Sequence, residues 1–247
     1  MSREPLDVSL ILACYNEEPI IERSVEQILE VLDNTRFGYE IIFVDDCSLD
    51  RTRELIEKII ASNSRVAMMR IFHDKNTGRG GTVSDGFRAA AGEVVGYIDI
   101  DLEVHARYIP SCVLAVKNGA DISTCERVYT FQPRLAHRWV MSKMYSGLVK
   151  YLLGADLTDT ESGFKFFNRQ RLLPLLDEVE DQHWFWDTEI MLRSFLKGYK
   201  IQTIPGLFIK RYDKKSSVQL LPDTLYYLKK LWHCRKLIQD QRKPSSR

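Results

Sequence analysis

Residues Val94-Val95-Gly96-Tyr97-Ile98-Asp99-Ile100-Asp101-Leu102-Glu103 decide the fold. The apolar first half predicts a short buried strand that ends at Asp99. Because side chains alternate along a strand, Asp99, Asp101 and Glu103 are expected to point the same way. Carboxylates at a strand end suit a hard divalent cation, Mg²⁺ or Mn²⁺, held together with substrate phosphates. The competing interpretation is an ordinary turn, where Asp is common.

Three earlier apolar runs predict further strands, the first two of them buried, and each run is followed by polar residues. They are residues 8–13, 40–44 and 66–72, with helices predicted between them. Strand and helix therefore alternate, which is typical of a parallel α/β sheet whose ligands bind at the carboxyl ends of the strands. The glycines near residue 80 lack the spacing of a dinucleotide fingerprint, and a P-loop sequence is absent.

The second half of the chain is less regular. Residues 121–125 predict a strand that leads to Arg127, and 201–209 predict a last strand broken at Pro205-Gly206. Between them, 159–165 predict a polar turn, and a helix is expected from about 185 to 197.

Two amphipathic stretches, 135–153 and 221–238, combine Lys with Trp or Tyr. The first is expected either to pack on the core or to lie in a bilayer interface. From residue 207 onward there are 11 Lys and Arg against 3 Asp and Glu, which suggests a membrane surface or a phosphorylated substrate as partner. We therefore expect a main domain at 1–220 and a basic helix and tail at 221–247 that contacts a membrane surface.

Composition sets further bounds. The chain of 247 residues is 45% hydrophobic, enough for one substantial domain with an appendage. No apolar run is long enough to predict a spanning helix, and the N-terminal residues lack the apolar core of a signal peptide. The five cysteines are scattered, which predicts reduced thiols and neither a disulfide framework nor a zinc site.

A series of polar motifs stands in a fixed order along the chain. The motifs are Ala13-Cys14-Tyr15-Asn16-Glu17, Val44-Asp45-Asp46-Cys47-Ser48-Leu49-Asp50, Asn76-Thr77-Gly78-Arg79-Gly80, Asp99-Ile100-Asp101-Leu102, Arg127, Arg138-x-x-x-Ser142 and Asp159-Thr160-Glu161-Ser162-Gly163-Phe164-Lys165. Together they resemble the inverting nucleotide-sugar glycosyltransferases of the GT-A fold, and most of all the polyprenyl-phosphate glycosyltransferases of the dolichyl-phosphate mannose synthase type. The resemblance covers about residues 7–218. The chain departs from that family at Cys47, where Gly is usual, and at Glu161-Ser162, where Gln-Cys is common.

The resemblance implies a GT-A fold, which is a Rossmann-like, mostly parallel mixed sheet flanked by helices, here followed by C-terminal amphipathic helices. It also implies that Tyr15 stacks on the donor base and that Glu17 and Asp45 accept hydrogen bonds from base and ribose. Arg79 is expected either to meet a phosphate or to be a solvated charge. The implied donor-binding set is Ala13, Tyr15, Asn16, Glu17, Phe43, Asp45, Gly78, Arg79, Asp99, Ile100 and Asp101.

The same resemblance makes Asp99, Asp101 and Glu103 the ligands of Mg²⁺ or Mn²⁺, which neutralises the diphosphate as the sugar leaves. The acceptor phosphate is assigned to a mainly cationic set, Arg127, Arg138, Ser142, Lys210 and Arg211. Arg suits this role because it binds phosphate oxygens in a bidentate manner, and a structural ion pair is the alternative for each Arg. The implied catalytic set is Asp99, Asp101, Arg127 and Arg138.

The acceptor decides whether a general base is needed. A phosphate monoester has a second pKa of about 6, so at neutral pH it is mostly a dianion and already nucleophilic. A hydroxyl acceptor needs a base, and Asp159, Glu161 and Asp187 are the candidates. With a phosphate acceptor, Asp159 and Asp187 are instead expected to orient sugar hydroxyls or the arginines.

The resemblance thus implies metal-dependent inverting transfer of a sugar to a dolichyl or undecaprenyl phosphate, giving a lipid-linked monosaccharide. GDP-mannose is the first donor expected, and UDP-glucose or another UDP-sugar the next. The alternatives are transfer to a glycan or protein hydroxyl, and a non-catalytic nucleotide-sugar-binding protein. The expected place is the cytoplasmic face of a membrane, as a peripheral protein. The membrane surface and a membrane protein are the expected further partners, and nucleic acid is not.

Overall fold

The structure, a computed structural model, describes residues 6–129 and 157–211, positions 140, 144, 147, 150 and 151, and residues 226–227 and 229–235. A short 3₁₀ turn, Ala106–Tyr108, precedes the fourth helix. In chain order the strands and helices are β1 (Val8–Cys14), α1 (Ile21–Asp33), β2 (Tyr39–Asp45), α2 (Thr52–Ser62), β3 (Ala67–Phe72), α3 (Arg79–Ala89), β4 (Val94–Ile98), α4 (Ile109–Lys117), β5 (Ile122–Tyr129), β6 (Phe164–Asn168), α5 (Arg169–Leu176), α6 (Trp186–Leu196) and β7 (Ile201–Phe208).

The seven strands form one sheet in the order β3-β2-β1-β4-β6-β5-β7. All pairings are parallel except those of β6, which runs antiparallel to both β4 and β5. The predicted mostly parallel mixed sheet with flanking helices is confirmed. Because β6 runs the opposite way, its first residues lie at the same edge of the sheet as the last residues of β4 and β5.

The strand order reverses between β1 and β4, since β2 and β3 lie on one side of β1 and the later strands on the other. Such a switch point opens a crevice at the carboxyl ends of the two strands, where α/β proteins bind their ligands. The residues after β1 and β4 are Tyr15 and Asp99. The topology therefore brings the predicted nucleotide-binding and carboxylate motifs to one edge of the sheet.

Two apolar layers cover the sheet. On one face, residues from α1, α2 and α4 pack against Leu10, Leu12 and Phe43. On the other face, residues from α3, α5 and α6 pack against Ile11 and Val44. The central strands β1 and β4 are buried on both faces, which explains why they appear in the sequence as continuous apolar runs and not as alternating ones.

The second half differs from its prediction in three places. β7 continues through Pro205-Gly206, because it is an edge strand and a proline there need not donate to a neighbour. β5 extends past residue 125 to Tyr129, so Arg127 lies within a strand. Lys165 belongs to β6 and is fully buried, although the sequence placed it in a polar turn.

Residues 226–227 and 229–235 are helical and pack on the second apolar layer. Leu231 and Cys234 are buried there, and the Tyr227 hydroxyl donates to the Trp184 carbonyl at 2.9 Å. Trp232 is exposed on the other side of this segment. Among the helices in the described part of the chain, none has the length and apolar character required to cross a bilayer.

Candidate active site

The Asp-x-Asp motif forms a turn directly after β4. The strand ends at Ile98, the Leu102 amide donates to the Asp99 carbonyl at 3.1 Å, and Leu102 has a positive φ of 52°. Strand alternation therefore does not orient these carboxylates, and the turn interpretation is correct for the backbone. The three acidic residues nevertheless line one cleft, together with Val104, Arg127, Gly163 and Phe208.

Arg79, the first residue of α3, contacts the wall of this cleft at Asp99. Its Nη1 donates to Asp187 Oδ2 at 2.5 Å, and its Nη2 pairs with the Asp99 carboxylate. Burial alone would lower the pKa of Arg79, but the carboxylates of Asp187 and Asp99 raise it well above its ordinary value. The Arg79 side chain is 14% exposed and its guanidinium is paired with two carboxylates, so Arg79 is not a solvated surface charge.

A buried polar cluster stands behind Arg79. The Lys165 side chain is 0% exposed, and its Nζ donates to Asp187 Oδ1 at 2.9 Å and to the Tyr97 hydroxyl at 3.2 Å. The Tyr97 hydroxyl also donates to Asp187. Burial lowers the pKa of Lys165 while Asp187 opposes that shift, and burial raises the pKa of Tyr97 well above its ordinary value. Both oxygens of Asp187 are therefore engaged by this cluster and by Arg79.

Arg127 is clamped by Asp159. The Arg127 amide donates to Asp159 Oδ2 at 2.7 Å, and its Nε and Nη2 donate to the same carboxylate at 2.9 and 2.5 Å. Asp159 is buried and has a positive φ of 46°. The structure thus gives Arg127 the ion pair that was the alternative interpretation, and it also places Arg127 in the wall of the cleft.

The segment after β7 crosses the acidic turn. The Ile209 amide donates to the Glu103 carbonyl at 2.8 Å, and Arg211 Nη1 donates to the Asp101 carbonyl at 2.8 Å. Lys210 Nζ forms an ion pair with the Glu103 carboxylate. Two predicted acceptor-binding cations therefore lie beside the predicted metal-binding turn.

The acidic residues fit a cation only in part. No group of three or more His, Cys, Asp or Glu side chains in the described residues is arranged as a metal site. All three acidic residues line the cleft. Glu103 pairs with Lys210 and is 16% exposed, whereas Asp99 pairs with Arg79 but remains 49% exposed. One or two carboxylates are the usual protein contribution to a Mg²⁺ that also binds substrate phosphates. Asp99 and Asp101 fit a cation of that kind.

The part of the crevice where the nucleotide-sugar is predicted to bind contains a hydrogen-bond acceptor that has no partner in the described part of the chain. Asp45 is fully buried, and its Oδ2 accepts from Arg53 Nε at 2.6 Å and from the Ser48 amide at 3.0 Å. Its Oδ1 has no hydrogen-bond partner among the described residues. A buried carboxylate oxygen without a donor is costly, so this atom is suited to accept a hydrogen bond from a ligand.

Asp46 next to it has a different task. It accepts from the Thr77 and Gly78 amides at 2.7 and 2.9 Å and pairs with His73 Nδ1 at 2.9 Å. Although burial opposes the shift, these hydrogen bonds lower the pKa of Asp46. Gly78 has a φ of 89°, which favours glycine. Asp46 thereby fixes the loop that presents Arg79.

The other predicted donor-binding residues fall into two groups. Tyr15 is exposed at the crevice, Asn16 Oδ1 accepts from the Leu49 amide at 2.8 Å, and Glu17 is buried with its amide bound to Thr52. The other group has apolar side chains that are buried or partly buried in the two apolar layers. Phe43 is 0% exposed and Ile100 is buried, both in the first apolar layer, and Ala13 packs against the second layer. The Phe43 and Ile100 side chains therefore pack in the core beneath the crevice and are not exposed to a ligand.

Some predicted residues lie outside this geometry. Arg138 and Ser142 are outside the described residues. Within the same predicted helix, positions 140, 144, 147, 150 and 151 are helical, and Val140, Met144 and Tyr151 are exposed. His105 Nδ1 accepts from the Arg107 amide at 3.0 Å, which is a local structural role.

Sequence reasoning missed Lys165, Tyr97, Trp184 and the role of Asp46. One signal was present, because Phe164-Lys165-Phe166-Phe167 places a lysine inside an apolar run. A lysine is rarely fully buried unless it is paired. Its partner Asp187 lies on α6, so no local sequence pattern predicts that the two residues form a pair.

Comparison with known proteins agrees with the fold and the motifs. The family model described as glycosyl transferase family 2 matches residues 9–176. Glycosyltransferase AglD of Haloferax volcanii is 35% identical over 226 residues, which cover 89% of this chain and 35% of that protein. A dolichol-phosphate mannosyltransferase of Pyrococcus furiosus is 35% identical over 124 residues, covering 49% of this chain and 33% of its own length. This chain therefore spans about a third of the length of these two curated relatives.

A dolichyl-phosphate β-glucosyltransferase, ALG5D of Trichomonas vaginalis, is 25% identical over 251 residues, with 92% of this chain and 76% of that protein covered. Among solved structures, glucosyl-3-phosphoglycerate synthase of Mycobacterium tuberculosis has a TM-score of 0.64 at 19% identity. The match covers 94% of this chain and 79% of that one, which was solved with Mn²⁺, UDP-glucose and phosphoglyceric acid. This likeness confirms the predicted GT-A fold.

Proposed function

The chain belongs to glycosyl transferase family 2, and we propose that this glycosyltransferase moves a sugar from a nucleotide-sugar to a polyprenyl phosphate. The observation that carries the proposal is one cleft that combines Asp99 and Asp101 with Arg127, beside Lys210 and Arg211. Carboxylates suited to a metal-bound diphosphate thus adjoin cations suited to a second phosphate. Relatives that are named for dolichol or dolichyl phosphate support the same acceptor class.

In the reaction an acceptor phosphate oxygen forms a bond to the sugar C1, and the C1–O bond to the diphosphate breaks. The bonding electron pair leaves with the nucleoside diphosphate. A divalent cation held by Asp99 and Asp101 would supply neutralisation of that leaving group. The acceptor arrives as a dianion, so the protein has to position it and does not have to deprotonate it. Arg127, fixed by Asp159, and Lys210 are placed for this task.

Three exposed side chains of the helical positions near residue 145 suit the lipid part of the proposed acceptor. Val140, Met144 and Tyr151 follow helical spacing and are 44, 70 and 83% exposed. Aliphatic and aromatic side chains on one helix face suit the boundary of a bilayer. We therefore propose that the protein acts at a membrane surface, where the excess of Lys and Arg after residue 207 favours anionic lipid.

The decisive experiment combines purified protein, a short polyprenyl phosphate and Mg²⁺ or Mn²⁺ with GDP-mannose, UDP-glucose or another UDP-sugar, each in a separate reaction. The product is identified by mass. A lipid-linked monosaccharide from one donor would establish reaction class and donor together. Hydrolysis or binding of a donor without any glycolipid, over all combinations, would refute the lipid-phosphate acceptor.

A hydroxyl acceptor is the second candidate, because one carboxylate beside Arg127 is suited to act as a base. Glu161 Oε2 lies 3.9 Å from Arg127 Nη2, and burial raises the pKa of Glu161 above its ordinary value. Asp159 and Asp187 are held in short ion pairs, which makes Glu161 the best placed of the three predicted bases. A product with the sugar on a glycan or protein hydroxyl would favour this reaction.

A further inference from the structure

The Arg79 guanidinium joins two carboxylates that differ in their surroundings. Its Nη1 binds Asp187, which is buried, and its Nη2 binds Asp99, which is 49% exposed at the cleft. One end of the guanidinium is therefore anchored in the protein core. The other end meets a residue that is predicted to bind a metal ion.

The buried anchor has a fixed orientation. Asp187 Oδ1 accepts from Lys165 and Tyr97, which leaves Oδ2 for Arg79. The rings of Tyr97 and Trp184 lie 5.3 and 5.8 Å from the guanidinium carbon, close enough for cation–π attraction. Burial of a lysine or a tyrosine hydroxyl raises the free energy of the folded state unless the group is hydrogen-bonded. Here Lys165 and Tyr97 both donate to the same carboxylate, Asp187.

The backbone also permits this approach. A Cβ atom added at Gly163 would overlap the Asp99 carboxylate and the Arg79 guanidinium. The Asp99 amide donates to the Gly163 carbonyl at 2.8 Å, which ties the acidic turn to the start of β6. Arg79 and Asp99 can therefore form their ion pair only because residue 163 is a glycine, which has no Cβ atom.

The resemblance already implies that Arg79 meets a donor phosphate. We propose that Asp187, Lys165 and Tyr97 position Arg79 for that contact, and that Arg79 competes with a divalent cation for Asp99. Before substrate arrives, Arg79 neutralises Asp99, which would otherwise repel the diphosphate. If Asp99 held a divalent cation, Arg79 Nη2 would be free to donate to a diphosphate oxygen while Nη1 stays on Asp187. A planar guanidinium suits this division because its N–H groups point in fixed directions. The inference rests on the proposed nucleotide-sugar donor, but not on the lipid acceptor.

Two consequences have opposite signs. Arg79 favours binding of a nucleoside diphosphate even without metal, and it competes with a divalent cation for Asp99. Removing Arg79 should therefore weaken metal-free binding of the nucleoside diphosphate and strengthen binding of the divalent cation. A residue with only a structural role would weaken both or change neither.

The test compares Arg79→Met with the unaltered protein, using Arg88→Met as the matched control. Arg88 lies on the same helix, is half exposed and pairs with Asp85. Calorimetry would measure UDP and GDP binding in EDTA, and electron paramagnetic resonance would measure binding of Mn²⁺ alone. We expect Arg79→Met to weaken metal-free nucleotide binding by about tenfold or more, the worth of one charge-assisted hydrogen bond. Mn²⁺ alone should bind it several-fold more tightly, with Arg88→Met unchanged in both.

Arg79→Met leaves the Lys165–Asp187 pair in place, and Arg79→Lys supplies a second variant that keeps the charge but cannot span both carboxylates. Arg79→Lys should fall between the other two in metal-free binding. Unchanged nucleotide affinity in Arg79→Met, or looser Mn²⁺ binding, would overturn the assignment. Failure of the unaltered protein to bind either nucleotide even with Mn²⁺ would instead remove the nucleotide-sugar donor, and the Arg79 role with it.

Discussion

The predicted donor and acceptor sides of the cleft differ in how many of their polar groups are already paired within the protein. On the donor side, Asp45 keeps a buried oxygen without a donor among the described residues, and Asp99 is half exposed. On the acceptor side, Arg127 and Lys210 already carry the carboxylates of Asp159 and Glu103. The predicted nucleotide donor would therefore meet one hydrogen-bond acceptor, at Asp45, that has no partner in the described part of the chain. It would also meet one exposed carboxylate, Asp99, that pairs with Arg79 alone within the same part of the chain. An acceptor phosphate has to share or displace carboxylates of the protein, which selects for a dianion with several strong acceptor oxygens.

The largest effect should come from breaking the donor side at Asp101. Asp101→Asn keeps the side-chain oxygen that accepts from the Glu103 amide, but it removes the negative charge offered to a cation. We expect glycolipid formation to fall by about 10³-fold, comparable to the loss of a principal electrostatic contact in the transition state. Asp177→Asn, at an exposed position, is the control. A loss below tenfold would mean that Asp101 does not hold the metal.

The acceptor side can be broken at Asp159, where the effect should appear in stability. Asp159→Asn leaves Arg127 without its carboxylate, and asparagine tolerates the positive φ of this position, so backbone strain does not contribute. Loss of one partner of a buried pair should lower the free energy of unfolding by about 3 kcal/mol.

Denaturant unfolding measures this change. Glu22→Gln, which breaks the exposed pair with Lys58, should cost less than about 0.5 kcal/mol. Equal costs for the two variants would show that the Arg127–Asp159 clamp is no firmer than a surface pair.

These contrasts show which parts of the molecule can be predicted from sequence. β1, β2 and β4 were predicted to within one or two residues, because strands buried on both faces have continuous apolar sequences. β3 was predicted equally well although it is a partly exposed edge strand. Arg79 and Asp187 are 108 residues apart, and β6 joins the sheet antiparallel between two strands that precede it. Such partners are set by tertiary pairing, so the sequence identified Arg79 and Asp99 as site residues without showing that they bind each other.

A smaller effect should separate the two sides at Lys210. Lys210→Met removes one cation from the acceptor side, and we expect the KM for polyprenyl phosphate to rise about tenfold. The Kd of the nucleotide should stay within about twofold, since the donor contacts are untouched. Lys197→Met, at the end of α6 and paired with Glu178, serves as the control. An equal loss in nucleotide binding would contradict the division of the cleft.

The smallest effect is expected at Glu161, and it tests the selection for a dianion. If the acceptor is a phosphate, activity should rise with pH through the second phosphate pKa of about 6, because only the dianion attacks efficiently. Glu161→Gln should then change kcat less than about threefold and leave this profile in place, since no proton is removed by the enzyme. If the acceptor is a hydroxyl, Glu161 must be deprotonated to act. The rising limb would then follow its raised pKa, and Glu161→Gln would lower kcat by about 10²-fold or more. A pH profile that flattens in Glu161→Gln would show that Glu161 activates the nucleophile, so the acceptor would be a hydroxyl. Arg127 and Lys210 would then need a ligand other than an acceptor phosphate.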